Sequence, residues 1–206
     1  MFSHPEAQSI YVQAMDGSLH ESSRLIPYSR YWGLSLARFS VSMKPASMGP
    51  GVSEVAEDFG IIAWHEDGRW NVSELTHSRD LGSIMDQLNS QATNGGAIAL
   101  IAIEEDYFVV ARALGSQMQM MISDVTYALE SDLAADLLEM LDLPFPEEDD
   151  DSQPGGDIDL LSDLGMSAME LEALCDDPEL FPDEQLDAVA SKLGFGNQFA
   201  ELYESH

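Results

Sequence analysis

The chain has 206 residues, of which 45% are hydrophobic, so it is long and apolar enough to bury a core of its own. Its 38 acidic residues against 8 lysines and arginines give a formal net charge of -30, which repels polyanions and argues against direct binding of tRNA or DNA. A single cysteine excludes an internal disulfide, and no long apolar run or export signal is visible, so we expect a cytoplasmic protein that does not contact the membrane.

Residues 1–55 are predicted to form a disordered leader, because they are rich in serine and show neither a helical period nor a strand alternation. An alternative is that the start codon is assigned too far upstream, since Met43 and Met48 stand just before the first patterned segment. Residues 1–48 carry four basic and three acidic side chains, a balance of +1, which leaves -31 for the rest of the chain. The acidity therefore belongs to the later part of the protein.

Residues 56–143 predict an α+β domain of order ββαβββα with a five-stranded antiparallel sheet. Asp67-Gly68 indicates a hairpin turn, and Ser78 indicates the cap of a helix. Glutamine and methionine alternate over 117–120, which predicts a sheet with one solvated face. A break near Ser131 interrupts the last helix. By analogy the order matches small roadblock-like platform domains, which pair edge to edge or helix to helix, so a homodimer is expected.

Residues 144–157 are interpreted as an acidic linker, because prolines, glycines and a run of like charges oppose regular structure. Residues 158–206 then predict a helical, acidic C-terminal region. A short apolar helix is expected over 158–164, a capping box at Ser167 and Glu170, a helix from Pro182 to a stop at Gly194, and a last turn or two over 197–203.

Known catalytic signatures do not fit the sequence. A zinc deaminase needs a histidine two residues before a glutamate and two later cysteines, whereas His65 and His77 lack that spacing and Cys175 is the single thiol. Two aspartates follow Cys175 directly and are expected to raise its pKa, and no Gly-x-Ser-x-Gly elbow is present. We predict no catalytic, cofactor or metal site and a protein that is not an enzyme.

Five consecutive acids form the densest charge in the chain: Glu147, Glu148, Asp149, Asp150 and Asp151. They do not make a calcium loop, because proline and leucine occupy the places of its glycine and its closing glutamate. One interpretation is a solvated tether. The other is a surface that contacts a basic partner.

A series of short phrases carries a family resemblance. They are WHEDGRW at 64–70, GGAI at 95–98, DYFVV at 106–110, SDVT at 123–126, LDLP at 141–144, DLLSDLG at 159–165, MEL at 169–171 and LGFG at 193–196. Their order resembles the actinobacterial family of tRNA adenosine deaminase-associated proteins over roughly residues 57–204. The resemblance implies association with the enzyme that converts the wobble adenosine of certain tRNAs to inosine, and it implies no catalytic residues.

Two functions are predicted from these observations. The first is a non-catalytic accessory protein that binds the deaminase through the five-residue acidic run and the acidic helical tail, and so assists tRNA modification. The second is a dimeric regulatory or ligand-sensing module, unrelated to tRNA editing, whose platform binds a client or a small molecule.

Overall fold

An antiparallel sheet lies between two layers of helix. The computed structural model of the chain describes residues 57–91 and 95–206, so the predicted leader lies outside the described residues. The strands are β1 (Phe59–Glu66), β2 (Arg69–Glu74), β3 (Ala97–Ile103), β4 (Tyr107–Leu114), β5 (Gln117–Ile122) and β6 (Gly155–Gly156). The helices are α1 (Leu81–Gln91), α2 (Asp132–Met140), α3 (Ala168–Cys175), α4 (Pro182–Leu193) and α5 (Gly196–Ser205). Short 3₁₀ helices at Val125–Leu129 and Ser162–Leu164 complete the order.

The sheet has the strand order β2-β1-β3-β4-β5-β6, and every neighbouring pair is antiparallel. The order ββαβββα is confirmed, including a hairpin at Asp67 and Gly68, whose positive φ angles of 51° and 77° suit its tight turn. The expected strand count is wrong. A sixth strand, β6, pairs with β5 and comes from the segment interpreted as a linker, where two glycines gave no strand signal.

Both faces of the sheet are covered. Along β3 every residue is buried, and its side chains alternate between two separate apolar clusters. One cluster packs under α1 and α2 and defines the α1/α2 face. The other packs under the segment after residue 157 and defines the C-terminal face, whose sheet residues are Phe59, Ile61, Ala63, Ile98, Leu100, Ala102, Phe108, Val110 and Met121.

The prediction of a solvated sheet face is wrong. Gln117 is exposed, but Gln119 is half-buried on the C-terminal face, which the last helices cover. The alternation over 117–120 arises because β5 begins near the margin of the sheet, where its first residues are more exposed, and not because one whole face is solvated. By contrast, the methionines of this strand belong to the core, since Met120 and Met121 are fully buried and Met118 packs against the cluster on the α1/α2 face.

Specific contacts fix the C-terminal helices on the sheet. The indole Nε1 of Trp70 in β2 donates a hydrogen bond of 3.0 Å to the carbonyl of Leu193, the last residue of α4. The same ring lies 4.9 Å from that of Phe195, and Phe59 of β1 meets Phe199 of α5 edge to face at 5.4 Å. Residues 158–206 therefore complete the core of the sheet.

Local signals predicted most of the helix boundaries. The capping box of Ser167 and Glu170, the stop at Gly194 and the break near Ser131 are confirmed. Two expectations are wrong. Asp80 rather than Ser78 caps α1, because its Oδ1 accepts the amide of Ser83 at 2.5 Å, and residues 158–164 form turns and a 3₁₀ helix instead of an α-helix. Among residues 57–91 and 95–206, no helix is long and apolar enough to cross a membrane.

Candidate protein-interaction surface

The five consecutive acids lie in the loop that joins α2 to β6. We call residues 144–154 the acidic loop. Glu147, Glu148, Asp149, Asp150 and Asp151 are all exposed there, at the margin of the sheet where β6 pairs with β5. The structure thus places this part of the predicted contact surface, without the acidic tail, at the exposed margin of the sheet.

Hydrogen bonds hold the acidic loop in a closed shape. The amide of Glu147 donates to the Asp150 carboxylate at 2.9 Å, and the amide of Asp150 donates back to the Glu147 carbonyl at 3.2 Å. Near the far end, the carbonyl of Gln153 accepts the amide of Val125 at 2.9 Å. The run of like charges therefore makes a turn, because local amide donors offset the repulsion that favours an extended chain.

Beside the acids is an apolar cavity of about 220 Å³, which we call the notch. Pro146 is buried in its wall, whereas 56% of Phe145 is exposed at the surface. Pockets for small molecules usually occupy about 300–1,000 Å³, so the notch is sized for a single side chain rather than for a cofactor. Its lining residues are Val125, Leu143, Pro144, Phe145, Pro146, Asp150, Gln153, Pro154 and Gly155.

The charge of the acidic loop is not neutralised within the described residues. Three basic side chains there have carboxylate partners elsewhere, as Arg79 pairs with Asp58 and Glu104. The others are Arg112 with Asp163 and Lys192 with Glu170. No ion pair between described residues includes Glu147, Glu148, Asp149, Asp150 or Asp151. Within residues 57–91 and 95–206, the carboxylates of the loop therefore have no basic side chain to offset their charge.

A second, wider groove of about 410 Å³ lies between α4 and α5 in the acidic tail. Its lining residues are Asp183, Glu184, Asp187, Phe199, Ala200, Tyr203 and Glu204. A hydrogen bond with Asp183, together with burial, raises the pKa of the Tyr203 phenol to about 12. A tyrosine with an ordinary pKa of about 10 is already neutral at pH 7, so the raised pKa changes no charge in this groove at that pH.

The residues considered for catalysis do not assemble into a reactive site. Burial, and to a smaller extent the charge of Asp176, raises the pKa of the Cys175 thiol to about 12. The predicted rise in pKa is confirmed, although burial is its larger cause. The His65 ring meets Trp70 edge to face at 5.2 Å, and His77 lies in a loop with φ of 58°. Within the described ranges, no three His, Cys, Asp or Glu side chains converge in a group that could hold a metal ion.

Comparison with known proteins places the chain among its relatives. Residues 58–196 match the family described as Rv3753c-like tRNA adenosine deaminase-associated protein. The chain belongs to this family. It is also 31% identical over 164 residues to Protein Rv3753c of Mycobacterium tuberculosis (strain ATCC 25618 / H37Rv), an alignment that covers 77% of this chain and 95% of that protein. No solved structure matches the chain.

The family resemblance predicted from the short phrases is thereby confirmed, and the family is described as associated with the deaminase rather than as the deaminase itself. The notch was missed at the level of sequence. Its signal was the Pro-Phe-Pro run at 144–146, which places an aromatic side chain two residues before the five charges, where a solvated tether needs none. Its other wall comes from Val125, which only folding brings there.

Proposed function

We propose that the chain is a non-catalytic accessory protein that binds a tRNA adenosine deaminase in the cytoplasm. The family description carries this proposal, since it names the deaminase as the associated enzyme. Binding is protein to protein, because a chain with a formal charge of -30 repels tRNA. The acidic loop contacts the basic surface with which the deaminase holds its tRNA.

The exposed, unpaired acids of the loop support this mode of binding. A partner that binds tRNA needs a positive surface, and an acidic loop is attracted to the same surface by long-range electrostatics. Each exposed ion pair contributes about 0.2–1 kcal/mol, so five of them together are worth about fivefold or more in affinity. Docking there positions the accessory protein beside the tRNA channel, where it controls access of the substrate.

Replacing all five acids of the loop with lysine tests the proposal. We expect deaminase binding to weaken about tenfold or more, with a shallower dependence on salt concentration, because the attraction between opposite charges is gone. The matched control replaces with lysine five exposed acids outside both the acidic loop and the acidic tail, namely Glu66, Asp86, Glu105, Asp136 and Glu139, and should bind nearly as the unaltered chain does. Equal weakening in both variants would show that net charge, not the loop, governs binding.

Native affinity purification tests the partner itself. The tagged chain should recover the deaminase from its own cells, and deletion of the gene should change the fraction of wobble inosine in the substrate tRNA. Purification that recovers no deaminase, together with unchanged inosine, would refute the proposal.

A second candidate function is a dimeric module that senses a small molecule. Two features favour it. The groove between α4 and α5, at about 410 Å³, falls within the usual size of ligand pockets. In addition, β2 is an edge strand, and its outward backbone groups are available to pair with a second copy of the chain. The amide of Leu75 donates to β1, and the direction of backbone groups alternates along a strand, so those of Trp70, Val72 and Glu74 point away from β1. Light scattering and a thermal-shift screen test it: a monomer stabilised by no ligand would exclude this function.

A further inference from the structure

We infer that the notch takes one apolar side chain of a partner segment in which that residue is flanked by lysine or arginine. The inference rests on the proposed function in one respect, namely that the occupant is a protein. It adds the chemistry of the recognised segment, which the family description does not give.

The size of the notch determines how much of a partner enters it. A cavity of about 220 Å³ is smaller than the roughly 300 Å³ at which small-molecule pockets begin, but it accommodates a leucine, methionine or phenylalanine side chain. Its walls are mainly apolar, with Leu143 and Pro154 at the two ends of the loop segment and Val125 from a separate part of the chain. An apolar side chain that enters loses contact with water on several sides, which is the arrangement typical of an interface anchor.

The rim of the notch selects the neighbours of that anchor. Asp150 belongs to its lining, and the other four acids of the loop lie within three residues of Asp150 along the chain. Acidic neighbours of the apolar residue would be repelled by the acids of the loop, and neutral neighbours would gain no attraction. Lysine or arginine beside the apolar residue is instead attracted by these carboxylates. Charge complementarity therefore favours a basic segment with one apolar residue.

The shape of the acidic loop makes the notch available before any partner arrives. Its turn is hydrogen-bonded at Glu147 and Asp150, and its end is held through Gln153 and β6. These bonds restrict the loop before binding and so lower the conformational entropy lost when a short segment is recognised. The exposed ring of Phe145 provides additional apolar contact at the mouth.

Two fluorescein-labelled peptides test the inference with the full chain. Both consist of lysine and arginine around one central residue, which is leucine in the first and serine in the second. We expect the leucine peptide to bind about tenfold or more tightly by fluorescence anisotropy, because burial of one apolar side chain contributes that much. Equal affinities would overturn the inference, since charge alone would then account for binding.

Matched variants locate the anchor site. Phe145→Ala should reduce the difference between the two peptides, whereas Phe181→Ala should preserve it. The two phenylalanines are 56% and 53% exposed, and Phe181 does not line the notch, so the pair controls for loss of an exposed ring. An unchanged difference in the Phe145 variant, or equal losses in both, would overturn the placement. The peptides do not involve the deaminase, so failure to purify that enzyme would leave this result standing, and failure here would leave the accessory function intact.

Discussion

Arg112 shows how one residue ties the sheet to the segment that covers it. Its side chain is buried in β4, where Nη1 donates to the Leu160 carbonyl at 2.6 Å and both Nη atoms bind the Asp163 carboxylate at 2.5 and 2.8 Å. Asp163 itself is 62% exposed. An arginine in the otherwise apolar strand YFVVARAL was visible in the sequence, but its partner lies 51 residues away and no local pattern indicated it.

We expect the two partners to respond unequally to substitution. Asp163→Asn leaves a buried cation without its counter-charge and should lower the free energy of unfolding by about 2 kcal/mol. Arg112→Met removes that cation and fills most of its volume, so only the lost donor to the Leu160 carbonyl remains, and the loss should be smaller, about 1 kcal/mol. Urea unfolding at pH 7 measures both values. A greater loss for Arg112→Met would contradict this account of the pair.

The pH dependence of unfolding tests whether the ionised Asp163 carboxylate is the stabilising group. The hydrogen bonds from Arg112 hold the pKa of Asp163 below its usual range in the folded chain. A carboxyl with a depressed folded pKa stabilises fully above its unfolded pKa of about 4, and loses that contribution as the pH falls through the folded value. The stability difference between the unaltered chain and Asp163→Asn should therefore shrink below about pH 4.

At the level of elements, β6 closes the acidic loop onto the sheet. Its two glycines pair with Met121 and Ile122, and the amide of Asp157 donates to the Met120 carbonyl at 2.8 Å. Gly156 has a φ of +96°, and a Cβ there would stand 2.4 Å from the same carbonyl. Only glycine allows the chain to approach β5 this closely.

Replacing Gly156 with alanine should therefore loosen the end of the loop. We expect a loss of about 2 kcal/mol in unfolding free energy and faster hydrogen exchange of the Asp157 amide. Gly165→Ala is the matched control, because its φ of +98° is nearly the same but its Cβ would meet nothing within 4 Å. That control should show only the backbone strain of about 1 kcal/mol. Equal losses would indicate that the close approach to Met120 contributes nothing.

For the whole molecule, the C-terminal region is part of the core. The C-terminal face of the sheet includes Phe59, Leu100 and Phe108, which are at most 2% exposed and pack against the last helices. The run AIALIAI in β3 was a sequence signal for burial on both sides, since a half-solvated strand alternates with polar residues. The wrong prediction of a solvated face came instead from the glutamines of β5, which lie near the margin of the sheet.

A chain that ends at residue 157 should consequently fail to fold cooperatively, because one face of the sheet would be exposed to water. We expect aggregation, or binding of the dye ANS without a sharp thermal transition. A chain of residues 51–206, which form one compact unit, is the control and should unfold in a single transition. Cooperative unfolding of the shortened chain would show that the sheet is stable without its C-terminal cover.

The sequence by itself determined what depends on near neighbours in the chain: the acidity after residue 48, the order ββαβββα of the first seven elements, the hairpin turn, the caps of α3 and α4, and the family. Tertiary structure decided what depends on distant partners. It placed the last helices on the sheet, paired Gly155 and Gly156 with β5, joined Arg112 to Asp163, and brought Val125 to the acidic loop to form the notch. The reason is physical: turns and caps are hydrogen-bonded within a few residues, whereas a covered face or a cavity wall exists only when segments far apart in sequence pack together.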